Sequence, residues 1–166
     1  MKAKLRPFEL CDAERLAELA NNYEIARFLT NRFPHPYTIE HAKQFIETFQ
    51  KDDPCQRFAV TVNNELIGGC GINLQEDIFA NNAELGYWIG EEYQKKGYMS
   101  RALQLISDYA FANFPITRLF CRIYGNNPGS MRVAEKVGFK LEAKFEKTLV
   151  KYGETLDEYI YAKRRS

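Results

Sequence analysis

No stretch of this chain is apolar for long enough to cross a membrane, and its N-terminus carries no apolar run of signal length. Both lacks lead us to expect a cytoplasmic protein with reduced thiols. Net charge is nearly absent: 23 Lys and Arg stand against 22 Asp and Glu, a formal +1. No global field marks a nucleic-acid binder. Cysteines are few and scattered (Cys11, Cys55, Cys70, Cys121), with no Cys-x-x-Cys pair, and the only histidines are His35 and His41. That set does not make a structural zinc site. Cys70 and Cys121 lie in apolar, strand-like runs and read as buried thiols rather than nucleophiles. There is no Gly-x-x-x-x-Gly-Lys-[Ser/Thr] and no Gly-x-Gly-x-x-Gly, which excludes the nucleoside-triphosphatase loop and the dinucleotide fingerprint. No low-complexity tract, linker or internal repeat divides the chain. Its 166 residues suffice for one domain, 1–166, with a substantial core.

What is abundant is aromatic: 12 Phe, 10 Tyr and one Trp. Most are expected in the core, and some to line a pocket. Lys4–Phe8 reads as a first strand at a sheet edge, where Pro7 is tolerated. Asp12 is placed to cap a helix bearing Leu16, Leu19 and Ala20. Pro34 and Pro36 keep 30–37 as loop, and Thr38 caps a helix presenting Ile39, Ala42, Phe45, Ile46 and Phe49. Strands are expected over 57–62 and 65–73, joined by a tight Asn63-Asn64 turn. Another follows over 83–89, then a helix, a strand over 117–124, a helix over 128–137, and two closing strands around Gly153. The order is mixed α and β.

The most informative stretch is Tyr93-Gln94-Lys95-Lys96-Gly97-Tyr98-Met99-Ser100. It follows a strand and opens an amphipathic helix with Met99, Ala102, Leu103, Ile106 and Ala110 on one face. The first-turn amides of such a helix lack partners and sit at the positive end of its dipole. Gly97 permits close approach, and Lys95 and Lys96 add charge, so the expected guest is a phosphate or pyrophosphate. Downstream, Asn127-Pro128-Gly129-Ser130 starts a short helix with Asn127 at the N-cap and Pro128 at its first position. Gly138 suits its left-handed end, and Ser130 falls in the first turn.

Gln94-x-x-Gly97-x-Met99 resembles the coenzyme-A pyrophosphate loop of the GNAT acetyltransferase superfamily, with Met99 where a small residue is usual. Asn127-x-x-Ser130 followed by Glu135-Lys136-Val137-Gly138-Phe139 resembles the Rim-type branch, named for enzymes that acetylate N-termini of ribosomal proteins. With Glu84-Leu85-Gly86-Tyr87-Trp88 the motifs stand in family order and span nearly the whole chain. The resemblance implies a GNAT fold: a twisted mixed sheet of about six to seven strands flanked by about four helices, whose fourth and fifth strands splay at a bulge to admit pantetheine. Gly86 and Gly90 fit such a bulge or a close approach. It further implies acetyl-CoA along Trp88, Ile89, Gln94, Lys95, Lys96, Gly97, Tyr98, Met99 and Ser100, touching Asn127 and Ser130, with no metal.

Acetyl transfer to an amine needs a neutral amine, donors for the oxyanion and help for the departing thiolate. By the same resemblance Glu84 is the candidate base, directly or through water, and backbone N–H groups near Leu85–Trp88 the oxyanion donors. Ala134 stands where many family members carry a tyrosine acid, which leaves Ser130 as the candidate. An α-amine titrates near about 7.7–8.0 and lysine near about 10.4, so a protein or peptide N-terminus needs less help. The loop Asn31–Tyr37 can shape the acceptor cleft. Polyamines, amino sugars and amino acids stay open as acceptors, as do a catalytically silent coenzyme-A-binding protein and a purely structural domain. No nucleic acid or membrane partner is expected; monomer and homodimer are both compatible.

Overall fold

The computed structural model describes residues 1–166. Its strands are β1 (Lys4–Pro7), β2 (Arg57–Val62), β3 (Glu65–Leu74), β4 (Asn82–Ile89), β5 (Arg118–Tyr124), β6 (Lys140–Lys151) and β7 (Glu154–Arg164). Its helices are α1 (Ala13–Ala20), α2 (Tyr23–Ala26), α3 (Ile39–Phe49), α4 (Tyr98–Asn113) and α5 (Pro128–Lys136). The strands form one sheet in the order β1-β2-β3-β4-β5-β7-β6. Every neighbouring pair is antiparallel except β4 and β5. This is the mixed GNAT architecture expected, with the short α2 as an added fifth helix.

Strand alternation sorts the side chains of β4 and β5 onto two faces. Ala83, Leu85, Ile89, Leu119, Cys121 and Ile123 enter the larger core, under α4 and α5, with Met99, Leu103 and Phe139. Met99 is therefore turned inward, away from the helix mouth. On the other face α1 and α3 cover a smaller core around Phe8, Leu16, Ile46 and Leu66, against which Trp88 and Phe33 pack. Burial of these apolar faces, at roughly 25 cal/mol per Å², is the main force holding the layers. No helix is long and apolar enough to cross a membrane.

The local signals hold. Asn63 and Asn64 turn the β2–β3 hairpin at φ 51° and 66°. Thr38 Oγ1 accepts from the His41 amide, and Gly138 ends α5 at φ 93°. Two expectations are corrected. Asp12 does not cap α1: its carboxylate accepts from the Glu9 amide and both Arg6 Nη atoms, each at 2.8 Å. A charged, bidentate partner outcompetes a helix amide. Nor does β4 carry a bulge against β3, since their register runs unbroken from Leu74↔Ala83 to Gly68↔Ile89. The β4–β5 opening arises because parallel pairing covers only Asn82↔Arg118, Ala83↔Leu119 and Glu84↔Phe120. Gly90 instead serves close approach, for a Cβ there would meet Leu19 Cδ2 at 2.9 Å.

Candidate active site

The loop between β4 and α4 is held from below. Arg15 Nη2 donates to Tyr93 Oη at 2.8 Å and to Glu65 Oε1 at 2.9 Å, anchoring the turn Glu91–Tyr93 from which the loop leaves. Lys95 at φ 61° and Gly97 at φ 81° then curl the main chain. No backbone or side-chain acceptor takes the amides of residues 95–100. Alternating left-handed residues with successive free N–H groups make an anion-binding concavity, reinforced by the helix dipole. A Cβ at Gly97 would meet nothing within 4 Å, so its open side faces space. That space is a cavity of about 260 Å³ whose lining includes Lys2, Lys96, Gly97, Tyr98 and Arg101, a basic mouth. Gln94 Nε2 donates to Ile89 O at 3.4 Å, a long bond that ties the loop to the strand end.

Above the loop the sheet divides. Asn82 and Gly90 turn their peptide groups toward the β3 side, accepting from Gln75 and donating to Ile67. Alternation directs the N–H and C=O of Tyr87 and Ile89 the other way, toward β5, where pairing has already ended. Trp88 therefore bonds to β3, and its ring lies 5.6 Å from Phe33 on the face of the smaller core. Across the gap, Asn127 Oδ1 accepts from the Ser130 amide at 3.3 Å and caps α5. Ser130 Oγ lies 2.7 Å from Tyr87 Oη. One residue before the Asn127 cap, Asn126 Oδ1 is buried without a donor. Unpaired amides for an anion, an open strand edge and an orphaned buried acceptor fit a long ligand carrying both phosphates and amide N–H groups. Acetyl-CoA has that composition.

Glu84 stands where the β4–β5 ladder ends, on the face opposite Ser130. Its side chain keeps 28% exposure, and Oε1 lies 3.7 Å from Arg122 Nε. Arg122 Nη1 in turn binds Glu158 Oε1 at 2.6 Å. Burial pushes the Glu84 carboxyl above its ordinary range; Arg122 and, more weakly, Arg32 oppose this, and Glu158 adds to it. A carboxylate so raised is a better proton acceptor near neutral pH than a solvated one. At the end of β6, Lys151 is buried, with Nζ donating to Asn31 Oδ1 at 2.9 Å and no carboxylate within ion-pair distance. Stacked Tyr23 and Tyr152, centroids 5.4 Å apart, join the β6–β7 turn to the α2 region.

Sequence reasoning missed Tyr87 as a partner of Ser130, together with Asn126, Arg122, Glu158 and Lys151. Tyr87 was reachable: alternation from Leu85 puts it on the α5 face. Asn31 and Lys151 lie 120 positions apart, and no local pattern joins them.

The acetyltransferase (GNAT) domain family matches residues 2–140. The uncharacterized N-acetyltransferase YnaD of Bacillus subtilis is 31% identical over 160 residues, covering 95% of this chain and 91% of that protein. The spermidine N(1)-acetyltransferase of Escherichia coli K12 is 30% identical over 146 residues, 84% and 73% of the two chains. Among solved structures, the RimL ribosomal L7/L12 alpha-N-protein acetyltransferase in complex with coenzyme A superposes with a TM-score of 0.86 at 22% identity, over 99% and 94% of the chains. That last likeness is one of fold, and a structure of that fold holds coenzyme A. With a family match across most of its length, the chain belongs to the GNAT acetyltransferases and is an N-acetyltransferase that takes its acyl group from acetyl-CoA.

Proposed function

We propose that the acceptor is the α-amine of a peptide or protein N-terminus. The observation that carries this reading is the charge balance of the acceptor face. Glu84 and Glu158 are offset by Arg122, with Arg32 close enough to act on Glu84. A polyamine needs an excess of carboxylate, which this face lacks. An amine with a single charge, attached to a chain of amides, suits it better. The RimL likeness in fold favours the same acceptor class, while the spermidine relative supplies the competing one.

In this reading Glu84 takes the proton from the attacking amine, directly or through water. The new C–N bond forms as the thioester carbonyl becomes an oxyanion, which the Tyr87 N–H, the one group of Leu85–Trp88 that faces the gap, stabilises. On collapse the C–S bond breaks and Ser130 Oγ–H holds the departing thiolate, which takes its final proton from solvent as Glu84 releases its own. Lys95–Ser100 hold the pyrophosphate through backbone amides, and Asn127 and Asn126 meet the pantetheine arm.

The test is a comparison of kcat/KM for short peptides with free N-termini, N-blocked lysine peptides and spermidine. The free N-terminal peptides should lead by at least about tenfold, as expected when the competitor leaves site charges unmatched. Preference for spermidine would overturn the reading.

A further inference from the structure

We infer that Tyr87 is a positioning residue for Ser130: its phenol donates to Ser130 Oγ and thereby frees the serine hydrogen to point into the β4–β5 gap. The inference rests on the reading of Ser130 as the group that meets the leaving sulfur.

The two oxygens lie 2.7 Å apart, a strong O–H···O distance, and either could donate. The direction follows from the surroundings. The other acceptor within reach of Tyr87 is the Ser130 carbonyl, at 3.2 Å. That carbonyl belongs to the first turn of α5 and faces the Ala134 amide four residues on. Oγ at 2.7 Å is therefore the nearer and less occupied acceptor, and the phenol hydrogen goes to it. A serine oxygen that already accepts one hydrogen bond is oriented, and its own hydrogen turns to the remaining open side. Hydrogen bonds in series strengthen one another, so Ser130 becomes a better donor than an isolated alcohol.

Burial holds the Tyr87 phenol well above its ordinary pKa. It therefore stays protonated throughout the working range and acts as a fixed donor, not as a proton source. No proton leaves Tyr87 in the cycle. The ring packs against the larger core and is carried by β4, the strand whose outer edge faces the donor. Ser130 comes from α5, so the bond also fixes α5 against β4 across the gap.

The test is a cycle of four proteins: wild type, Tyr87→Phe, Ser130→Ala and the double variant, each checked by circular dichroism. Tyr87→Phe removes one oxygen and keeps the packed ring. It should lower kcat about three- to tenfold, the size of one neutral hydrogen bond, while KM for acetyl-CoA stays within about twofold. Ser130→Ala should lower kcat further, and the double variant should be no slower than Ser130→Ala alone, because Tyr87 acts only through that hydroxyl. A purely structural role would instead make the two losses multiply, and would move KM or the melting temperature; either result overturns the inference. A normal Tyr87→Phe beside a slow Ser130→Ala overturns it and leaves the Ser130 reading standing. Wild-type turnover in Ser130→Ala overturns both.

Discussion

In the proposed site the donor side is made of main chain, and the acceptor side of side chains. Residues 95–100 offer consecutive amides, shaped by two left-handed residues and one helix start. The proposed acceptor face draws Glu84 from β4, Arg122 from β5, Glu158 from β7 and Arg32 from the loop before α3. A site of amides tolerates many sequences, because only conformation must be kept. A site of side chains changes with each substitution. Within one fold the donor can thus stay constant while the acceptor varies.

The largest test of this contrast is Glu84→Gln. Turnover with a peptide acceptor should fall about a hundredfold near neutral pH, the low end for a positioned base. The acid limb of the wild-type profile, set above the ordinary carboxylate range by burial, should disappear, and the deficit should narrow at high pH where the amine is already neutral. A profile identical to wild type would remove Glu84 from the base role.

Next in size is Gly97→Val, aimed at the main-chain side. A β-branched residue at φ 81° is strained, and its side chain fills the open space beside the loop. Losing one or two hydrogen bonds to a charged group should weaken acetyl-CoA binding about tenfold to a hundredfold by calorimetry. Unchanged affinity in a folded variant would take the loop out of the site, and with it the contrast.

A smaller effect is expected at Lys151. Burial lowers its pKa, so its charge costs the folded protein stability below its ordinary titration range. Lys151→Met should raise the melting temperature at pH 7 by about a degree or two. It should also raise KM for a peptide acceptor about threefold, a modest polar contact, and leave acetyl-CoA affinity alone. If donor affinity falls instead, the two sides are not separable.

The smallest effect is again at Glu84. A carboxyl whose folded pKa is raised keeps full stability below its unfolded value of 4.5 and loses it as pH climbs through the folded value. Glu84→Gln should therefore melt about a degree or two higher than wild type at pH 7 and level with it near pH 4. A variant less stable at pH 7 would mean the Arg122 pairing outweighs burial.

The same division governs what could be read from the sequence. Gly97, Asn127, Thr38, the Asn63-Asn64 turn and Gly138 announce themselves because their signals act over a few residues, through caps and positive φ. The conformation of the 94–100 loop was legible for that reason. The proposal for Glu84 rests instead on the order of motifs around it. Asp12 misled, because a cap is a local competition and Arg6 won it from the neighbouring strand. The insertion of β7 between β5 and β6, which brings Glu158 to Arg122, is a tertiary outcome. So is the contact of Tyr87 with Ser130, 43 positions away.

The three-residue parallel ladder has a mechanical consequence. It is a seam between two leaves of the sheet, β1 to β4 and β5, β7 and β6, held otherwise by the core beneath α4 and α5 and by side-chain contacts such as Tyr87–Ser130 and Arg122–Glu84. A donor molecule lying along the open part of the seam adds stitches that the chain does not make for itself. By mass action it should stabilise the fold by about 2.7 kcal/mol at a hundred times its dissociation constant. Thermal melts at rising acetyl-CoA should show this, with slower hydrogen exchange at Tyr87 and Ile89. The enzyme's lifetime would then follow the supply of its own substrate.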